Sequence, residues 1–535
     1  MAELYYHNME YGKALSLAKR ALSIDTHDGA ANYYYGLINE QTGNITDARD
    51  GFDLAALSPA YRGAAYTALS KLYFLEKNYE RADLYAGKAL YFNAGNITAF
   101  KLRAILYRKL GNHEESAKAI AAIEKLDPLN HFTTFEKWLL SNDQRDRQKF
   151  IGEIQNELVY QTFLELAMDY YNLGCLDEAQ RLLEIAPAHA LVSYWKAFIN
   201  YRMGKAHDLF MKEGDSNSAA FVLPFRSESE EMLKWAITQT NSWKPKYYLA
   251  LLYRDRNRIE DSYKLLSEIG DLPTESFFYA ARAVEQKDVN LREKDLLKAN
   301  QLDKNEWRYI RKLAEFYLNQ QDYAHAVAIT EPFYKSHGSN YIIGMVYAKC
   351  LLADKRYADA AKLLTSIHII PFEGATDGRE LYRQTMLMQA IQNIQSKKFV
   401  KALDFISKAR QFPDNLGSGK PYEEDIDYRV EDFLTALSYE KSNKKEEAAN
   451  FFGKVAAYSK PGLKSNMIAQ VWALQKLGER NAADRLAEKI LSTEKNDSLK
   501  VWMMALLNDM ETNNPVPGKS DNNMLLLESI GKLIR

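Results

Sequence analysis

Along most of the chain, apolar residues return at three- and four-residue spacing in stretches of about a dozen residues. That is the pattern of helices that each bury one stripe. The stretches are punctuated in two ways. A Gly or Asn turn separates the first helix of a pair from the second, as in "GNITDARDGFDLA" from Gly43. A proline-containing stop, Leu57-Ser58-Pro59 or Leu126-Asp127-Pro128, closes the second helix. Few prolines, 13 in all, and many Ala, Leu, Lys and Glu favour helices, so the expected class is all-α.

The punctuation is periodic. "MEYGKA" at Met9, "GNITDA" at Gly43, "KNYERA" at Lys77 and "GNHEES" at Gly111 follow one another at 34 residues. Other columns keep the register. A small residue recurs at Ala2, Gly36, Ser70 and Ala104, and a second column reads Ala21, Ala55, Ala89 and Ile123. A third column is Tyr5, Asn39, Tyr73 and Tyr107. Small residues at fixed places let two helices approach closely, so each period is a helical hairpin. The sequon at Asn44 falls at a hairpin turn and reads as a turn residue, and the one at Asn96 reads as a chance recurrence.

The period and the small, small and aromatic columns resemble the tetratricopeptide repeat. That resemblance implies a right-handed superhelical solenoid of antiparallel helix pairs, with about 11–13 repeats here. Further copies are anchored at Gly174, Asn257, Gln321, Lys355, Lys397, Asn443 and Gly478, and a degenerate one at Lys287. The expected organisation is a regular array over 1–130, whose first repeat is truncated, and irregular helical repeats with a bend over 131–240. An array over 241–369 and one with long inter-repeat loops over 370–511 follow. A linker over 512–523 leads to a capping helix over 524–535. Entry into the first repeat partway through a helix reads as a fragment of a longer protein.

"FEKWLL", "IQNELVYQTFLELAMDYYNLG", "LPFRSE" and "YYLALLYRDRNR" further resemble the tetratricopeptide region of an uncharacterised bacterial family. In that family a β-rich N-terminal domain, likened to sugar-acting enzymes, precedes the repeats. The resemblance covers roughly residues 130–330 and implies such a domain as a partner within a longer protein. No catalytic residue is carried over.

Composition narrows the function. Lys plus Arg number 70 and Asp plus Glu 71, a net charge of −1, which gives no support to nucleic-acid binding as a whole-chain property. No apolar run is long enough for a membrane span, and a soluble cytoplasmic or periplasmic protein is expected. The 2 cysteines, Cys175 and Cys350, cannot make a disulfide framework. Cys350 reads as buried and Cys175 as a turn residue open to solvent.

Candidate chemistry is thin. "GSGK" at Gly417 to Lys420 fails the phosphate-loop spacing, because Asp414 stands where Gly is needed and Pro421 where Ser or Thr is needed. The carboxylates Glu423, Glu424, Asp425 and Asp427 do not match a calcium loop. The 9 histidines show no metal-ligand spacing. No catalytic, cofactor or metal residue is assigned.

The better candidates are surfaces. First helices line the concave side of such repeats. Their non-core positions include Tyr33, Glu40, Lys71, Phe74, Lys101, Arg108, Tyr171, Tyr247, Arg254, Arg308 and Arg311. Rings and guanidinium groups along a groove suit an extended peptide. Loops longer than the period would crowd one rim, with Phe225, Arg226, Phe372, Glu373, Arg379, Lys420 and Tyr422 as contact residues. The leading expectation is a non-catalytic scaffold that binds a protein or peptide. The second is an accessory module of a larger carbohydrate-related enzyme, and the third an enzyme that uses the inserted loops.

Overall fold

The computed structural model describes residues 1–371, 377–460, 465–508 and 523–535. Among these there is no strand: the chain is helix after helix joined by short turns. Successive helices pair as hairpins, beginning with Ala2–His7 on Tyr11–Ile24 and Gly29–Gln41 on Ile45–Ala55. The chain is thus the expected all-α solenoid of helix pairs. It divides into two compact units, Met1–Asp288 and Val289–Arg535. The stretch 131–159, which lacks the repeat signature, still folds as a hairpin of His131–Ser141 and Gln144–Glu153.

The turn column has a backbone cause. Met9, Gly43, Lys77 and Gly111, each 34 residues after the last, all have a left-handed backbone, with φ of 60°, 80°, 59° and 74°. Every later anchored turn from Gly174 to Gly478 does the same, except the degenerate one at Lys287. A left-handed residue ends the first helix and reverses the chain. Only Gly takes it without steric cost, so the Met and Lys versions are held by the hairpin around them. The second helix then starts from a polar cap. Asn78 accepts a hydrogen bond from the Arg81 backbone N–H (3.2 Å), and Asn112 does so from Glu115 (3.2 Å). The sequon residue Asn96 caps the next first helix and donates to Thr67 Oγ1 at 2.8 Å, so both ends of its amide are engaged.

The small columns are where the helices touch. Gly36, Ser70 and Ala104 are buried, as are their partners Ala48, Ala82 and Ser116. The contacts are close enough for hydroxyls to donate across them: Ser70 Oγ to the Ala82 carbonyl (2.7 Å) and Ser116 Oγ to the Ala104 carbonyl (2.8 Å). Gly51 marks the closest approach. A Cβ there would stand 2.8 Å from the Asn32 carbonyl oxygen and 2.8 Å from the Gly36 nitrogen.

Some inner faces are covered by the chain itself. In helix Ala190–Arg202 every residue from Ala190 to Asn200 except Lys196 is buried. Leu223 and Phe225 pack near Leu191 and Trp195, and Trp235 stacks on Tyr201 (5.0 Å) beside Phe198. Residues 205–227, where a bend was expected, lie inside the first unit. The expected 512–523 linker lies, except for Asn523, outside the described residues.

Gly51→Ala is expected to lower stability by about 1–3 kcal/mol, because the added methyl meets backbone rather than a yielding side chain. Gly87→Ala, on a helix with nothing within 4 Å of the new methyl, is expected to raise it by about 0.5–1 kcal/mol. Urea unfolding followed by circular dichroism separates the two. Equal midpoints would contradict the close approach.

Candidate binding grooves

The first helices present the residues proposed for a groove, but most of these residues are already engaged by other side chains of the chain. Lys71 Nζ pairs with Glu40 at 2.7 Å. Lys101 pairs with Asp169 at 2.8 Å and sits over the Phe132 ring. Arg254 pairs with Glu285 at 3.0 Å. Tyr171 donates to Glu231 at 2.9 Å and accepts from Arg202 at 3.2 Å. Each pair ties one hairpin to another, so the inner face of the first unit is laced by its own side chains.

Two expected groove residues are buried and a third is half-buried. Phe74 is 4% exposed and packs on Tyr79, because its side of the helix faces the paired helix. Tyr247 is 5% exposed, among the rings of Trp243, Phe277 and Phe278. Tyr33 is half-buried between Phe52 and Tyr61. In the second unit Arg308 and Arg311 are exposed and pair with Glu306 (2.9 Å) and Glu315 (2.8 Å) on their own segment.

Arg108 is an internal strut. Its guanidinium makes a forked pair with Glu136 (2.7 and 3.1 Å) and reaches Glu178 at 3.1 Å. Lys109 adds a 2.7 Å pair to Glu178, and Tyr170 donates to Glu136 at 2.5 Å. The Glu136 side chain has no exposure at all. Burial, and then the Glu136 carboxylate, push the Tyr170 phenol well above its ordinary pKa, so its O–H remains a donor. Burial alone would raise Glu178, but the Lys109 hydrogen bond and the charges of Lys109 and Arg108 hold it below the usual carboxylate range. Sequence reading missed Glu136, Glu178 and Tyr170. The available signal was a carboxylate in the aromatic-rich "FEKWLL".

The rim residues divide as well. Phe225 is 45% exposed, while its carbonyl accepts a hydrogen bond from Arg256. Arg226 binds Glu165 (3.1 Å) and Glu228 (2.9 Å), lashing its loop to helix Val159–Tyr171. Arg379 is not in a loop. It lies in helix Asp377–Gln395, 4% exposed, donates to the Ala409 carbonyl at 3.0 Å and sits over the Phe412 ring. Lys420 and Tyr422 are exposed, and Lys420 pairs with Glu423 at 2.8 Å. Phe372 and Glu373 lie outside the described residues. In the acidic loop Asp427 turns inward to Arg429 (2.6 Å) and Asn466 (2.9 Å). Cys175, expected in the open, is 3% exposed, and burial pushes its thiol up to about 12.

In the second unit one helix is buried along most of its length. Every residue from Arg429 to Ser438 is buried, which a two-helix hairpin cannot achieve alone. The chain's own last helix, Met524–Ile534, buries Met524, Leu526, Leu527, Ile530 and Leu533 in the same core. It packs on helix Asp377–Gln395, and its Gly531 faces Leu506 and Trp472. Glu528 accepts from Trp502 Nε1 at 2.7 Å. Asn523, just before the helix, accepts from buried Arg383 at 2.5 Å and donates to Asn466 at 2.6 Å. Arg383 also makes a forked pair with Glu431 (2.5 and 2.8 Å).

Among the described residues no helix is long and apolar enough to cross a membrane. No protein-family model and no curated protein matches the chain. Solved structures match at the level of the fold. The crystal structure of yeast Tom70 is 15% identical, covers 87% of this chain and 99% of its own, and has a TM-score of 0.27. The structure of Naa15/Naa10 bound to HypK-THB is 15% identical, covers 95% and 90%, and scores 0.31. A tetratricopeptide repeat protein from Parabacteroides merdae is 13% identical, covers 52% and 98%, and scores 0.24. At these identities and scores nothing about binding or assembly is carried across.

Arg108→Met strands buried Glu136 and is expected to destabilise the protein by about 3–5 kcal/mol. Arg311→Met breaks an exposed pair and is expected to change stability by about 0–1 kcal/mol. Urea unfolding checks both, and similar losses would refute the internal role of Arg108.

A pH effect follows from His189, which stacks on Tyr160 with ring centroids 3.6 Å apart. Burial lowers its pKa from 6.5 to about 4. Because the folded value is the lower one, the unfolded chain takes up the proton first as pH falls. Stability is therefore full above about 6.5 and declines through the window down to about 4. His189→Phe, which keeps the stack, is expected to flatten the thermal midpoint across that window. An unchanged slope would remove His189 as its cause.

Proposed function

We propose that the chain is a non-catalytic scaffold that binds protein or peptide segments, and that its recognition groove is the inner face of the last hairpins. The carrying observation is the seat of helix Met524–Ile534. An amphipathic helix of 11 residues lies there by its apolar face, with five apolar side chains buried and a polar residue bonded at its start. Helices of this length are marginal in water, so the groove supplies the stability. Each buried apolar side chain is worth about 1.5–3 kcal/mol, which suits helix-in-groove recognition. Exposed Lys420 and Tyr422 would extend the contact along the rim.

The inner face of the first unit is the weaker candidate, because its charged residues already satisfy one another. A ligand there would have to replace pairs such as Lys101 with Asp169.

Leu527→Asp, at a fully buried position, is expected to free the groove while the hairpins stay helical by circular dichroism. Panning a library of amphipathic peptides on this variant should enrich helix-forming sequences that the synthetic peptide Asn523–Arg535 displaces. Wild type should enrich them poorly. If the folded variant enriches nothing that this peptide displaces, the groove is not a recognition surface.

A further inference from the structure

A second surface stands apart from the groove. The turns of two successive hairpins, Asp377–Gln395 with Phe399–Ala409 and Arg429–Lys441 with Lys445–Ala456, enclose a cleft of about 410 Å³. Four of its lining residues are Lys397, Lys398, Lys401 and Lys444. All four are exposed, and none has a carboxylate partner among the described residues. Two other lysines of these hairpins and the next are paired, Lys408 with Asp404 at 2.7 Å and Lys476 with Glu440 at 2.9 Å.

The floor is apolar. Phe399 and Tyr439 are half-buried in it, and Tyr439 stacks on Phe451 behind. Val400 is 84% exposed at the edge, an isolated apolar side chain inside the ring of lysines. Lys444 Nζ lies 5.7 Å from the centre of the Tyr439 ring, which draws the ammonium towards the cleft.

We propose that this cleft docks an acidic peptide segment that carries a bulky apolar side chain among its carboxylates. The lysines complement the carboxylates, and the floor takes the apolar group. A long polyanion fits less well. The chain as a whole carries −1, so attraction is confined to the few ångströms around the four lysines rather than spread along a surface.

The test uses the full chain and a fluorescein-labelled peptide, Glu-Glu-Asp-Leu-Leu-Asp-Glu-Glu, read by fluorescence polarisation. Binding is expected, and it should weaken by about tenfold or more between about 0.05 and about 0.5 M salt. The pair Lys398→Glu and Lys444→Glu should weaken it by at least about tenfold, since it removes two attractive charges and adds two repulsive ones. Val400→Asp, or Ser in place of both leucines in the peptide, should weaken it by about three- to tenfold. The substituted side chains are exposed, so an unchanged thermal midpoint confirms that the variants are folded. A control charge reversal at exposed Lys212, outside the cleft, should leave binding unchanged. The proposal is overturned if no binding is seen, if the Lys variants bind as wild type does, or if the serine peptide binds as well as the leucine peptide. It is equally overturned if an oligonucleotide or an anionic vesicle binds more tightly through the same lysines.

Discussion

Everything in this chain depends on two helices coming within backbone contact at fixed places. At Gly51 there is no room for a methyl group, and at Ser70 and Ser116 the gap is bridged by a single hydroxyl. Such an approach leaves each hairpin with apolar flanks that it cannot cover alone, so the next hairpin must cover them. The 34-residue spacing of left-handed turns is the backbone expression of that requirement. It holds even where the turn residue is Met or Lys, because the packing on either side outweighs a local cost of about 1–2 kcal/mol.

A second layer of constraint is electrostatic. The near-zero net charge hides pairs that are drawn inside and shared between hairpins. Arg108 joins carboxylates 28 and 70 residues away, and Arg383 joins Glu431 and Asn523, 48 and 140 residues away. Buried pairs add little net stability, since removing both charges from water offsets most of their attraction. An unpaired buried charge is far worse, so each pair penalises any stacking in which its partner is missing. Their physical effect is to select one arrangement of neighbours.

This division explains what was legible. Turns, caps and small columns are local, so Gly43, Asn78 and Ser70 could be placed from spacing alone. Groove residues could not. Arg108 reads as a surface arginine until Glu136 and Glu178 are brought to it by two further hairpins. Phe74 and Tyr247 sit at positions where rotating a helix by one residue decides between groove and core. Arg379 follows Gly374 and Gly378, which suggested a loop, yet its helix already begins at Asp377. Cys175 sits at a turn, and turns are usually wet, but here the neighbouring hairpin covers it.

The inner faces show where a solenoid needs more than its own repeats. Helix Ile97–Lys109 is only partly buried, and one of its faces carries Lys101 and Arg108, whose paired charges tolerate partial exposure. Helices Ala190–Arg202 and Arg429–Lys441 are buried almost all round. A helix buried on every side needs neighbours on every side. The 221–227 segment and Trp235 lie against the first, and the last helix packs on Asp377–Gln395, which itself neighbours the second. The second cover differs in kind. It comes from outside the array, meets the groove through one face of a single helix, and is anchored by polar bonds at its first turn. Those are the terms on which a separate protein segment would bind.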